Sequence, residues 1–262
     1  MRLIKNLPNL LTLFNLFLGC MAIVFLFNDH MVIIDAKKNI LVDMGEIDMA
    51  VYCVFLAAII DFFDGFVARL LKVESELGKQ LDSLADVVTF GFVPGMIMFE
   101  MIARSYYSNY NAFDYPILFY AIGFLLTLCA AWRLAQFNID KNQTTEFRGL
   151  PSPSMALIIV SMPMVALRNE AGLDKLLTNN WFLILITVLF SYLMVSGLPM
   201  MSLKIKSLKL EGNQWLFGLI LLSIISIFLG IAVFHLLFLV IPIVILLYIL
   251  LSIIKNFAEN GI

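Results

Sequence analysis

The sequence predicts an all-α fold, a polytopic transmembrane helical bundle of about eight helices with both termini cytoplasmic. Three observations predict it. Of the 262 residues, 62% are hydrophobic and only 14% charged, against about 25% charged in an ordinary soluble domain. Apolar runs long enough to cross a bilayer, which takes roughly 20 residues at helical rise, recur along the whole chain. The basic residues collect in alternate connections between those runs, as cytoplasmic retention of Lys and Arg requires.

The first helix is expected over 10–28. Arg2 and Lys5 precede it, a start that also suits a cleaved signal peptide, but the run is too long and no small-residue cleavage pair closes it. The second runs over 47–70 and the third over 84–103, where Gly91, Pro94 and Gly95 allow a close helix crossing and a kink. The fourth covers 117–138 and the sixth 181–198. Between them, 153–168 is a short fifth helix, entered through a Gly149-Leu150-Pro151-Ser152-Pro153 turn that leaves Pro153 in its first turn, and bent at Pro163. The final apolar block would overshoot any bilayer as one helix, so it divides into 214–233 and 236–254 at a tight turn around His235. Cys20, Cys53 and Cys129 fall inside helices, without metal-ligand spacing, and read as apolar packing residues.

With the N-terminus inside, the inner segments hold Arg2, Lys5, Arg69, Lys72, Lys79, Arg133, Lys141, Arg148, Lys204, Lys206, Lys209 and Lys255. The outer ones hold Lys37, Lys38, Arg104, Arg168 and Lys175. The loop from Asn28 to Asp48, with Asp29, Asp35, Asp43, Glu46 and Asp48, reads as solvated and outside, as do His30 and His235. Lys204, Lys206 and Lys209 can attract anionic lipid, though topology alone accounts for them. No nucleic-acid partner is expected.

Against this background residues 61–86, DFFDGFVARLLKVESELGKQLDSLAD, stand out. Asp61 and Asp64 are three apart, with Gly65 and Ala68 continuing the same helical stripe and Arg69 one step beyond. Gly78, Asp82 and Asp86 are each four apart and share a face of the next helix. An antiparallel hairpin brings both faces together at the cytoplasmic end. Ionised carboxylates at membrane depth each cost on the order of 2–3 kcal/mol or more unless compensated, and they repel one another. One arginine cannot neutralise four of them, whereas two divalent cations can, and oxygen-only ligands select hard ions such as Mg2+ or Mn2+. Clustered intramembrane acids also mark ion pathways, so a divalent-metal transporter is the rival reading from another class. Crowding at one end of two adjacent helices, beside an arginine and glycines, favours a pyrophosphate site instead.

The spacing D-x-x-D-G-x-x-A-R, eight residues, G-x-x-x-D-x-x-x-D is matched without a gap. It resembles the signature of the CDP-alcohol phosphotransferases, membrane enzymes that transfer a substituted phosphate from a CDP-linked donor to an alcohol and release CMP. Three further stretches, NLPNLLTLFNLFLGCMAIVF near the start, RLAQFN at 133–138 and FRGLPSPSMA at 147–156, are similar to the bacterial and archaeal serine-utilising members. Gln136 stands where the usual middle motif has arginine, and the basic residue typical of the glycerol-phosphate-utilising members near Asn15 is absent.

The resemblance implies that Asp61, Asp64 and Asp82 hold two divalent cations, with Asp82 bridging, and that Asp86 is a further ligand and the general base. Gly65, Ala68, Arg69, Gly78 and Lys79 are then candidates for the donor, CDP-diacylglycerol, although Lys79 is no signature position and also suits a solvated loop. A zwitterionic acceptor such as L-serine needs a cation for its carboxylate, and Arg133 and Arg148 flank the right loop; positive-inside topology or a lipid headgroup contact is the plain alternative for both. Another acceptor, inositol phosphate or glycerol phosphate, would want more cations. The chain reads as a single integral membrane domain, 1–262, with a six-helix catalytic core over 1–198 and two additional helices over 199–262. A homodimer in the cell membrane is expected by resemblance alone.

Overall fold

Each of the apolar runs becomes a helix. The computed structural model describes residues 6–28, 33–34, 40–41, 46–73, 75–107, 117–139, 147–201 and 213–260. Arg2, Lys5, Asp29, His30, Asp35, Lys37, Lys38, Asp43, Lys141, Lys204, Lys206 and Lys209 lie outside the described residues. Among the described residues, six helices are long and apolar enough to cross a membrane, Leu7–Phe27, Ile47–Leu71, Glu76–Tyr106, Ile117–Ile139, Gln214–Val233 and Val240–Ala258, and Ser152–Leu167 and Asn180–Val195 are shorter apolar helices. All eight expected segments are present, in a polytopic helical bundle. The loop read as merely solvated contains a two-residue antiparallel pairing, β1 (Ile33–Ile34) with β2 (Ile40–Leu41).

Helix α1 (Leu7–Phe27) starts with a proline in its first turn and buries Pro8, Thr12, Asn15, Leu18, Gly19, Ala22 and Leu26, one stripe at three- and four-residue spacing. That stripe packs most extensively on α2 (Ile47–Leu71), which buries Ile47, Ala50, Val51, Val54, Ala57 and Asp64. α2 ends at Lys72, whose left-handed φ of 53° and N–H bonds back to Ala68 and Arg69 stop the helix without glycine. Ser75 then caps α3 (Glu76–Asp86) by accepting the Gly78 N–H at 3.0 Å.

The third span therefore begins at Glu76 rather than at residue 84, because the turn carrying Lys79 and Asp82 is helical although it is too polar to extend an apolar run. It is also not uniformly α-helical. α3 passes through a π-helical stretch, Val87–Phe92, into α4 (Val93–Tyr107). Pro94 has no N–H to donate, and the turn before it opens; the Gly91 carbonyl accepts the Thr127 hydroxyl of the fourth span at 3.0 Å. The fourth span is α5 (Ile117–Tyr120), a 3-10 turn over Ala121–Phe124, and α6 (Leu125–Ile139). The expected close crossing is here: a Cβ on Gly95 would overlap the Thr127 hydroxyl, and one on Gly123 would lie 2.6 Å from the Phe99 nitrogen.

At the centre, α7 (Ser152–Leu167) buries twelve of its sixteen residues and runs through Pro163. It is followed by a 3-10 turn, Glu170–Gly172, then α8 (Asp174–Leu177) and α9 (Asn180–Val195), capped by Asn179. β3 (Phe147–Arg148) pairs antiparallel with β4 (Pro199–Met200). The last hairpin is α10 (Gln214–Phe228) with a π-helical end over Leu229–Val233, a turn in which His235 adopts φ 55°, and α11 (Val240–Asn260). α11 packs on α7, whereas α10 is the least buried of the long spans.

The crossing of the third and fourth spans leaves no room for a methyl group at Gly123. Gly123→Ala is expected to destabilise the protein by about 1–3 kcal/mol, whereas Gly218→Ala in α10, where nothing lies within 4 Å, should be neutral or gain up to about 1 kcal/mol of helix propensity. Thermal unfolding of both variants in detergent checks this; equal behaviour would contradict the crossing.

Candidate active site

The aspartates of the sequence signature do meet, at the end of the bundle where α2 stops and α3 begins. Carboxylate oxygens of Asp61, Asp64 and Asp82 all lie within 4.8 Å of one another. Asp86, one turn further along α3, lies within electrostatic reach of Asp61, and its Oδ1 is buried with no hydrogen-bond partner among the described residues. Asp64 and Asp86 are buried, Asp61 and Asp82 half-buried. In low dielectric such a group of acids must be compensated. Three convergent oxygen ligands and a buried, unpartnered fourth carboxylate oxygen match what a hard divalent cation takes, so the residues fit a metal centre.

The helices do not meet as a simple hairpin. α1 packs against both α2 and α3, while α2 and α3 touch each other only slightly. From this wedge the Thr12 hydroxyl donates to Asp64 Oδ2 at 2.7 Å and Asn15 Nδ2 donates to Asp61 Oδ1 at 3.3 Å. Both are buried, and the Thr89 hydroxyl in turn donates to the Asn15 carbonyl at 3.3 Å. Reading the sequence by carboxylates alone misses this pair. The signal was two polar residues three apart inside an apolar run, which places them on one helix face.

The candidate donor residues are spread around the cluster. Gly65 faces open space apart from the Arg69 guanidinium, whose Nη1 would lie 3.6 Å from an added Cβ. Arg69 itself is exposed and Ala68 half-buried. Gly78 is closed in by α1, since a Cβ there would lie 3.0 Å from Asn9 Oδ1 and 3.1 Å from Ser75 Oγ. Lys79 is exposed on the first turns of α3, not in a loop, and its Nζ donates to the Asn138 carbonyl at 3.5 Å. Asn138 also donates to the Ser83 hydroxyl at 2.8 Å, joining the end of α6 to α3.

Arg133 and Arg148 line one cavity of about 350 Å³ together with Gln136, Ile139 and residues 194–197. Arg133 is half-buried, lies within electrostatic reach of Asp86, and donates from Nη1 to the Ser152 hydroxyl at 3.4 Å. Its Nε is buried with no hydrogen-bond partner among the described residues. Arg148 is exposed, and its strand is placed by Gly149, whose φ of 75° and close approach to the Met194 carbonyl exclude a side chain. The cavity thus has two guanidinium groups, one of them facing the acidic cluster electrostatically.

Comparison with known proteins assigns the chain to a family. The model for the family described as CDP-alcohol phosphatidyltransferase matches residues 5–193. A protein of Helicobacter pylori named CDP-diacylglycerol–serine O-phosphatidyltransferase is 32% identical over 255 residues, 95% of this chain and 94% of that one. A Bacillus subtilis protein of the same name is 31% identical over 140 residues, 52% of this chain and 74% of its own. An archaetidylserine synthase of Methanothermobacter thermautotrophicus is 30% identical over 128 residues, 48% of this chain and 51% of its own. A match that runs from the first helix through the sixth and takes in every residue of the acidic cluster shows that the chain belongs to the CDP-alcohol phosphatidyltransferase family.

Proposed function

We propose that this protein transfers the phosphatidyl group of CDP-diacylglycerol to L-serine, giving phosphatidylserine and CMP. The observation that carries the reading is an acidic cluster with three convergent carboxylates together with a cavity lined by two arginines, of which Arg133 lies within electrostatic reach of Asp86. The serine-utilising names of relatives matched over most of the chain support the choice of acceptor. The excess of basic residues in the connections at this end supports a site that faces the cytoplasm in the cell membrane. The family match over 5–193 supports a catalytic core within 1–198 and two additional helices beyond it. A homodimer is inferred from family likeness.

Asp61, Asp64, Asp82 and Asp86 would hold two divalent cations, Mg2+ or Mn2+, which supply neutralisation of the donor pyrophosphate and of the charge that builds on the oxygens during transfer. The chain's own residues do the rest. Gly65 and Ala68 leave room for the cytidine diphosphate, and Arg69, Lys79 and the N-terminal turn of α3 with Gly78 lie on the side from which its phosphates are met. Arg133 and Arg148 take the serine carboxylate. Asp86 accepts the proton of the serine hydroxyl as that oxygen bonds to the β-phosphorus; the bond from that phosphorus to the CMP oxygen breaks, and CMP leaves with the electron pair. Thr12 and Asn15 hold Asp64 and Asp61 in place, so a fixed charge pattern is ready before the substrates arrive.

Chelation should abolish CMP release from CDP-diacylglycerol, and Mg2+ or Mn2+ should restore it. Full turnover in excess chelator would sink the metal reading, and no CMP release under any metal would favour a transporter. Asp86→Asn should keep much of the donor binding yet lose about 10²- to 10⁴-fold in single-turnover rate, the usual cost of a missing general base. Asp82→Asn should weaken donor binding and transfer together, because Asp82 belongs to the convergent group. Arg133→Lys keeps the charge but loses the planar two-pronged donor, so serine KM should rise on the order of tenfold while donor affinity holds. Serine esters, which lack the carboxylate, should be poor substrates and little affected by that change. A serine KM unchanged in Arg133→Lys would remove Arg133 from the acceptor site.

A further inference from the structure

One wall of the arginine cavity is held from outside the region that the family model matches. Residues 194–197, which line the cavity, lead out of α9 into β4. Along one edge this run is zipped to the segment that carries Arg148. The Leu150 N–H donates to the Leu193 carbonyl and the Gly149 N–H to the Leu198 carbonyl, each at 2.9 Å, and β3 and β4 then pair Arg148 with Pro199 and Phe147 with Met200. The other edge is held by α11. The Tyr248 hydroxyl donates to the Met201 carbonyl at 3.0 Å, and the Met201 N–H donates to the Ser252 hydroxyl at 3.2 Å. Ser252 is itself oriented by donating to the Tyr248 carbonyl at 2.7 Å. Met201, Tyr248 and Ser252 are 5%, 7% and 2% exposed. Both backbone polar groups of Met201 are therefore committed to one helix, in an environment where water offers no replacement partner.

The cavity lining comes from α6, Arg148 and residues 194–197, with no side chain of α11 among it. Yet Tyr248 lies within electrostatic reach of Arg133, so α11 is close to both arginine-bearing walls. Loss of the Met201 clasp would free β4, and with it the strand partner of Arg148, to slide. A shift of one wall by an ångström is enough to spoil a two-point grip on a small ligand.

The geometry points to Tyr248 and Ser252 as positioning residues: through Met201 they fix the wall of the arginine cavity and thereby set the affinity for a small carboxylate-bearing acceptor, while the donor site is left alone. This rests on the reading of the cavity as the serine site. The acidic cluster has its own supports, Thr12 and Asn15 on α1, so acceptor affinity and donor affinity are held by different helices.

The test uses purified full-length enzyme with Tyr248→Phe, Ser252→Ala and Ser252→Thr. Each loss of a hydroxyl should raise serine KM about three- to tenfold, as one buried hydrogen bond would, while CDP-diacylglycerol KM and kcat at saturating serine stay near those of the parent. Ser252→Thr keeps the hydroxyl and should stay close to the parent. An unchanged serine KM in Tyr248→Phe, a change that keeps the ring and its packing, overturns the proposal, as does an equal rise in both KM values or a fall in kcat alone. Arg133→Lys run in parallel separates the two levels. If it raises serine KM and Tyr248→Phe does not, the cavity is the acceptor site and the clasp is only structural. If neither raises it while serine is still consumed, the cavity is not the acceptor site and both readings fall.

Discussion

Charge in an apolar bundle is the constraint around which this protein is built. Four carboxylates at the end of two helices are tolerable only where hydrogen-bond donors, cations or metal offset their desolvation and mutual repulsion. The bundle meets that constraint in layers. α1 inserts between α2 and α3 and presents a hydroxyl and an amide to two of the acids. An arginine on the fourth span stands within reach of Asp86. What is left over, three convergent carboxylates and a buried carboxylate oxygen without a partner, is the chemical demand that makes the site reactive rather than inert.

The local distortions serve the same end. The break between α2, which ends at Leu71, and α3, which begins at Glu76, is short, with a left-handed Lys72 on one side and a capping Ser75 on the other. This short link holds the two acid-bearing faces near each other while leaving a gap that α1 fills. Further along, the π-helical stretch at Val87–Phe92 changes the angular position of everything beyond Asp86 relative to the acids. The apolar length of the third span can thus pack on the fourth through Gly91, Gly95 and Gly123 while its first turns serve the site.

Much of this was legible in the sequence, for a physical reason. The acids are spaced three and four apart, and helical periodicity alone converts that spacing into a shared face. The spans were legible because hydrocarbon demands a minimum apolar length. Arg133 and Arg148 could be picked out as the cations nearest the loop, and they do line one cavity. The four-residue spacing of Gly78, Asp82 and Asp86 marked the polar first turns of the third span as helical, but its start at Glu76 was not legible, because no apolar run includes those turns. Thr12 and Asn15 were hidden because their partners lie 52 and 46 residues away, a tertiary fact that local pattern does not encode. The π-helical stretch had no signal of its own, and the place of Tyr248 depends on a backbone it meets 47 residues upstream.

Glu170 gives the last helix a second anchorage. Its carboxylate, buried at the opposite end of the bundle from the aspartates, accepts the N–H groups of Phe238 at 3.0 Å and Leu239 at 2.8 Å, just before α11 begins. Arg168 lies 4.9 Å above the Phe238 ring, and that ring stacks on Phe55 of α2. With Glu170 at its head and Met201 gripped along its side, α11 behaves as a strut of fixed length. Both ties oppose the tilting and sliding by which a helix ordinarily answers hydrophobic mismatch. α10 is the long span least embedded in the rest of the protein, so less of its surface opposes the same movement.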